Sequence, residues 1–291
     1  MEFPKEKIGK EYDFVSLIKF AIPTIIMMVF MSVYTIIDGI YVSRFVSTSA
    51  LSAINIVYPM NSIILAIGLM LATGGSAVIA KKMGEDKLQE AKENFTLIIA
   101  FGSIIGFIIM ILGHVFINPM LKMLGAGGNE ELFKFSFNYL TVLLYFSPLA
   151  VLQMIFQSFF IVAGKPSVGL TITLLGGCVN IVFDYIFIVP LQMGIIGAAV
   201  ATGIGMAIPV VFGLIYFTFY KKGILYFVKL KKVSAIISFM RTFVFISVSL
   251  LLLPLIIGVK GVWLAVPITE LFSMVMCIIY LNGHKKSYNY V

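Results

Sequence analysis

The chain has 291 residues, of which 60% are hydrophobic and 12% charged, with a mean hydropathy of +1.08 and a formal net charge of +8. A soluble domain is roughly half apolar and a quarter charged, so this balance excludes an ordinary soluble protein and a disordered one. With 2 Cys and 2 His, a disulfide framework and a Cys/His zinc centre are also poor fits, which leaves an all-α polytopic membrane protein.

Eight apolar segments follow one another: 16–42, 51–80, 95–117, 135–163, 167–190, 194–220, 236–257 and 261–281. Each is long enough to cross a hydrocarbon core of roughly 30 Å as a helix, and none alternates as a barrel strand does. Eight transmembrane helices are therefore predicted. Met1–Lys19 is polar and lacks a small-residue cleavage site, so the first segment is expected to stay in the membrane.

Charge sets the orientation. One side collects Lys5, Lys7, Lys10, Lys19, Lys81, Lys82, Lys87, Lys92, Lys165, Lys221, Lys222, Lys229, Lys231, Lys232, Arg241, Lys285 and Lys286, leaving Arg44, Lys122, Lys134 and Lys260 on the other. The positive-inside rule then puts both termini in the cytoplasm, in a cell-membrane protein. The positive charge is thus a topology signal, and no soluble basic face invites a nucleic acid.

Between the segments, 81–94 mixes charge signs at helical spacing and reads as a short amphipathic connector. The outer stretch 118–134 carries a cluster of Gly, Pro and Asn and reads as a loop. Stretch 221–235 is basic with interleaved apolar residues and reads as a cytoplasmic linker in the headgroup layer. The organisation that follows is a six-helix amino-terminal lobe over 1–220, the linker 221–235, and a helix pair over 236–291 from an incomplete second lobe. Gly194-Ile195-Ile196-Gly197-Ala198-Ala199-Val200-Ala201 aligns with Gly258-Val259-Lys260-Gly261-Val262-Trp263-Leu264-Ala265, a same-direction repeat that suggests two lobes about an axis along the membrane normal.

Three acidic residues lie inside spans: Asp38, Asp184 and Glu270. An ionised carboxylate within a bilayer costs several kcal/mol, so each needs a partner or water. Asp38 falls near the outer end of span 1 and Asp184 near the outer end of span 5. Asn180 is one turn from Asp184 on the same face, and Thr202 is about two turns into span 6. If spans 1, 5 and 6 adjoin, Asp38, Asn180, Asp184 and Thr202 form one site of oxygen ligands suited to a hard cation such as Na+. Two nearby carboxylates in low dielectric resist double ionisation and titrate as a unit, which equally makes a proton switch. A plainer reading is open too, with Asp38 reaching interfacial water and Asn180 and Thr202 acting as interhelical glue. Glu270, after Pro267 and Thr269, is either a second coupling acid or a local cap.

Pro23 lacks a backbone N–H and marks a possible hinge or static kink in span 1. Tyr34, Tyr139, Gln153 and Gln157 are candidates for lining a substrate cavity, or for helix-to-helix hydrogen bonds. Gly68, Ala72, Gly75, Ser76 and Ala80 recur at about one-turn spacing on span 2 and point to close helix packing. Cys178, Cys277, His114 and His284 have no metal-ligand neighbours in sequence. No nucleophile–base set suggests an enzyme, and no cofactor is expected.

These residues resemble the multidrug and toxic compound extrusion (MATE) family. Ile22-Pro23-Thr24 and Asp38-Gly39-Ile40-Tyr41-Val42-Ser43-Arg44 look like its first helix. Gly74-Gly75-Ser76 with Gly84-Glu85 looks like its second helix and inner loop, and Ala163-Gly164-Lys165-Pro166 like the turn after its fourth. Asn180-Ile181-Val182-Phe183-Asp184, Phe187-Ile188 and Gly194–Thr202 carry the most specific likeness, nearest the MepA-like or DinF-like groups. Gly261-Val262-Trp263 with Pro267-Ile268-Thr269-Glu270 looks like the final helix. The resemblance implies a secondary antiporter that exports small cationic amphipathic drugs against H+ or Na+, with its cation site on Asp38, Asn180, Asp184 and Thr202. It also implies a departure: family members have twelve helices, and the equivalents of helices 7–10 are absent here. Self-association or a partner would then complete the second lobe. The alternatives are an inactive or partner-dependent half-transporter, and a lipid-linked sugar flippase of the same superfamily, but the flippase needs a basic cavity, and no Lys or Arg lies deep in the first six spans.

Overall fold

The computed structural model describes residues 14–220, 223–228 and isolated positions between 248 and 275. Among the described residues eight α-helices follow in order: α1 (Phe14–Phe45), α2 (Thr48–Gly84), α3 (Leu88–Val115), α4 (Ile117–Met123), α5 (Glu130–Tyr145), α6 (Ser147–Val162), α7 (Pro166–Ile188) and α8 (Gly194–Phe219). Helices α2, α3, α7 and α8 are each long and apolar enough to cross a membrane, and α5 with α6 makes one further span. Helix α1, at 32 residues, encloses the predicted segment 16–42. The protein is thus an all-α polytopic membrane protein, and the six spans expected before residue 220 are all helical. Of the last two segments, Ser249 and Thr269 are buried and their hydroxyls lie 3.4 Å apart. Glu270, Cys277, His284, the second repeat block at 258–265 apart from Leu264, and most of 236–281 lie outside the described residues, as do Met1–Asp13.

Three expectations change. Span 4 is not continuous: α5 and α6 meet at Phe146 with a bend of 53°. Pro148 has no N–H to give to the carbonyl of Leu144, and the Ser147 hydroxyl donates to that oxygen instead at 2.8 Å. The break is wedged from both sides. Gly106 of α3 admits the backbone of Pro148, and Gly203 of α8 lies under the ring of Phe146, where a Cβ on either glycine would overlap its neighbour.

Stretch 81–94 is not a separate connector. Helix α2 runs to Gly84 and α3 starts at Leu88, so its charges decorate two helix ends. The turn is a Schellman closure, with Lys87 N–H donating to Lys82 O at 2.9 Å and Asp86 N–H to Met83 O at 3.2 Å. Asp86 takes the left-handed conformation, φ 58°. Glu85 is held below the usual carboxylate range by a hydrogen bond from Lys87 at 2.9 Å. The same closure ends α6, through Lys165 N–H to Phe160 O and Gly164 N–H to Ile161 O, with Gly164 at φ 72° and Pro166 opening α7.

Stretch 118–134 is partly ordered by α4 and a 3-10 turn, Ala126–Gly128. Asn129 then caps α5, its side chain accepting from Leu132 N–H at 3.1 Å.

Helix α7 packs on α8 and α1, and α6 lies at the centre against α2, α3, α7 and α8. The small residues of α2 do what their spacing suggested. A Cβ on Gly68 would stand 3.1 Å from Val151 Cα of α6, and one on Gly75 would stand 2.9 Å from Ile98 of α3. One end of the lobe carries the lysine-rich α2–α3 turn, and the other carries the C-terminus of α1 and the N-terminus of α8. Part of the predicted linker also belongs to the bundle. Residues 223–228 run as irregular chain against the lysine-rich end, with Leu225 buried. Lys221, Lys222 and 229–235 lie outside the described residues.

Candidate functional site

Helix α7 builds one wall. Thr173, Gly176, Gly177, Asn180 and Asp184 recur every three or four residues and all are buried, so they form one stripe facing inward. The stripe has small residues where α8 crosses. A Cβ on Gly176 would stand 2.6 Å from Gly205 O, and one on Gly205 would stand 3.0 Å from the Asn180 Cβ. Backbone-to-backbone approach at this crossing is what brings Asn180 and Asp184 up to α8 and α1.

The structure places the four predicted cation-site residues on α1, α7 and α8, which adjoin one another. Asp184 is fully buried, Asn180 is 2% exposed and Asp38 is 9% exposed. The carboxylates of Asp38 and Asp184 act on each other electrostatically. Thr202 donates its hydroxyl hydrogen to Ala198 O at 3.0 Å, leaving its lone pairs for the site. Tyr139, from α5, is buried and lies in the field of Asp38, Asp184 and Tyr34. Tyr34, one turn before Asp38, lies in the field of the same two acids.

The hydrogen-bond inventory is incomplete here in a telling way. Asp38 Oδ1, both carboxyl oxygens of Asp184 and both amide atoms of Asn180 are buried without a hydrogen-bond partner among the described residues. The salt bridges among those residues all involve Lys81, Lys82 and Lys87 at the α2–α3 turn, so no cation there pairs with either acid. Buried polar atoms are normally satisfied, and a buried charge is normally paired. Two carboxylates, one amide and hydroxyls from Thr202, Tyr139 and Tyr34 therefore converge as a donor set suited to a proton or a hard monovalent cation. No third His, Cys, Asp or Glu joins them among the described residues.

A cavity of about 80 Å³ begins at Tyr34 and Asn180, one turn from Asp38 and Asp184, and extends toward the lysine-rich end. Asn180, Thr202 and Tyr34 line it at the acidic side, and Gln153, Asn61 and Thr173 line it beyond. Gln153 Oε1 is buried without a partner among the described residues, while the Gln157 amide reaches Thr173 Oγ1 at 3.4 Å. Of the substrate-cavity candidates, Tyr34 and Gln153 thus line this space. Tyr139 and Gln157 are not among its lining residues: Tyr139 lies in the field of the two acids, and Gln157 lies beside Thr173. Thr173 went unrecognised in the sequence, although it lies seven residues before Asn180 on the same helical face. Pro23 lies within α1, which is helical throughout; its side chain is outside the described residues. Cys178 is a free, exposed thiol. The His114 ring Nδ1 pairs with Met110 O at 2.7 Å, and the ring packs on Tyr145.

Comparison with known proteins bears on the whole arrangement. The MatE family model matches residues 23–186. The multidrug export protein MepA of Staphylococcus haemolyticus is 24% identical over 248 residues, covering 85% of this chain and 54% of that protein. The protein of the same name from Staphylococcus aureus strain COL is 26% identical over 204 residues, covering 70% and 45%. The chain thus spans about half the length of the curated relatives it matches. Among solved structures, MATE in the straight conformation superposes with a TM-score of 0.69 at 23% identity, covering 90% of this chain and 60% of that one. A MOP superfamily transporter from Pyrococcus furiosus superposes at 0.68 with 23% identity, covering 89% and 59%. With the family model matching more than half of its length and the helical lobe reproducing that fold, the chain belongs to the MatE family.

Proposed function

We propose that the protein takes part in secondary active export of small cationic amphipathic compounds, by antiport against H+ or Na+. The observation that carries this reading is the pair of buried carboxylates, Asp38 and Asp184, with oxygens unpartnered among the described residues, on helices whose Tyr34 and Asn180, one turn away, line a cavity. The names of the Staphylococcus relatives, multidrug export proteins, support the substrate class. On the side toward which both acids lie, the pair takes up the coupling ion. Neutralised, it loses its attraction for a cationic substrate, and that substrate leaves. Exchange follows from the differential affinity of two states for the two cations, with α1 bending at Pro23 between them. Both termini lie in the cytoplasm, and the pump sits in the cell membrane. A second lobe completes the far wall of the substrate path, from self-association or a partner.

The lining of the cavity favours a cationic cargo over a lipid-linked sugar pyrophosphate, since no Lys or Arg is among its lining residues. The reading predicts that Asp38→Asn and Asp184→Asn each abolish ethidium efflux from cells at unchanged expression. Parent-like efflux by both variants refutes it. Reconstituted vesicles given a pH gradient and a sodium gradient separately identify the ion.

A further inference from the structure

The carboxylate site sits toward one end of the lobe, and the opposite end is closed by a different chemistry. Phe217 lies fifteen residues beyond Thr202 on α8, about 22 Å along the helix axis. Around it gather Phe95, Phe156, Phe159 and Phe160, all fully buried, with ring centroids 4.8 Å (Phe95–Phe217) and 4.9 Å (Phe160–Phe217) apart. This cluster begins where the polar cavity stops. A Cβ on Gly169, one turn before Thr173, would stand 3.1 Å from Phe160 Cβ and 3.5 Å from Gln157 O.

The chain after α8 covers the cluster. Phe227 N–H donates to Phe217 O at 3.0 Å, a carbonyl in the last turn of α8 that has no partner within the helix. Val228 N–H donates to Thr96 Oγ1 of α3 at 3.3 Å. The Phe227 ring packs tilted against Phe95, centroids 5.3 Å apart, and the Lys92 ammonium lies 3.9 Å over the ring of Tyr226. One short irregular segment therefore staples α3 to α8 and packs its own aromatic ring into the plug.

The geometry points to a function for this staple: residues 223–228 and the phenylalanine plug form the ion barrier of the lobe, which stops the coupling ion from passing through the bundle to the lysine-rich side. Antiport demands such a barrier, because a polar path open at both ends would dissipate the gradient without moving substrate. The polar file runs from Asp184 to Thr173 and Gln157, and the plug closes what remains. The inference rests on the proposed reading of the carboxylate pair as an ion site.

The test measures passive leak, not export. Purified protein in phosphatidylethanolamine–phosphatidylglycerol vesicles is loaded with a pH-sensitive dye, and a pH gradient is imposed without any drug; a parallel series follows radioactive sodium. Phe227→Ala should raise the leak of one of the two ions severalfold over the parent, and adding Asp184→Asn should return it to the parent rate. No rise for either ion, or a rise that survives Asp184→Asn, overturns the barrier. To guard against a misfolded variant, Thr96→Cys with Val228→Cys is made in a Cys178→Ser, Cys277→Ser background. Reduced, this protein should leak; oxidised to the disulfide, the same preparation should seal. Equal leak in both states also overturns the proposal. Failure of the ion-site reading shows separately, as drug efflux that withstands Asp38→Asn and Asp184→Asn.

Discussion

An acid buried in a membrane protein with no cation beside it is neutral, hydrated or holding an ion, and Asp184, fully buried with both oxygens free of partners among the described residues, is in that position. Thr202 separates two of these outcomes. Its hydrogen is committed to Ala198 O, so its contribution to the site is a lone pair, which a sodium ion uses and a bound proton does not need. Thr202→Val keeps the shape and should cost no more than about 0.5–1.5 kcal/mol of thermal stability, the net worth of one intramolecular hydrogen bond. Sodium-driven efflux in vesicles should fall about tenfold or more, equivalent to at least ~1.4 kcal/mol of lost ion affinity, while proton-driven efflux stays at the parent rate. Equal loss under both gradients counts against a ligand role. The position of this residue, and of Asp38, Asn180 and Asp184, was legible because depth along a helix follows from counting residues at a fixed rise. Thr173 was not, because a threonine in an apolar span is most often a helix-bonded hydroxyl, and this one does donate to Gly169 O at 2.8 Å. Only its register with Asn180 and the glycines between them marks it as part of the wall.

At the scale of helices, the site depends on how closely α7 and α8 approach. Gly176→Ala would put a methyl 2.6 Å from the Gly205 carbonyl oxygen, and backbone cannot step aside as a side chain does. The variant should lose about 1–3 kcal/mol, the usual cost of overpacking, seen as a lower melting temperature in detergent, together with impaired efflux. Gly164→Ala makes a contrast. Nothing lies within 4 Å of its added methyl, so only the positive φ of 72° matters. About 1 kcal/mol should be lost with transport intact. If the two variants were equally destabilised and equally inactive, close packing at the crossing would have no special role. Helix ends such as Gly164 announce themselves, since few residues tolerate that backbone. The 53° break in span 4 did not, although Ser147-Pro148 was its signature: apolar composition runs unbroken through 135–163, and hydropathy averages over a bend. The α2–α3 turn was misread for the converse reason. Charges that look like a connector in sequence are the solvated last and first turns of two long helices.

For the molecule as a whole, the distribution of lysines and the placement of the acids tell a single story. The α2–α3 turn, Lys92 and the staple at 223–228 share one end of the lobe, and Asp38 and Asp184 lie toward the other. Cations in short loops are held back from crossing the membrane during insertion, so the lysine-rich end should face the cytoplasm and the acids should take their ion from outside. The orientation is tested by single cysteines in a Cys178→Ser, Cys277→Ser background. Gly127→Cys, in the 3-10 turn at the acidic end, should react with a membrane-impermeant maleimide added to intact cells. Lys87→Cys, in the turn at the opposite end, should react only after permeabilisation. The reverse pattern would turn the lobe over. The acids would then draw ions from the cytoplasm, the staple would face the exterior, and inward-directed gradients could not drive export through this site.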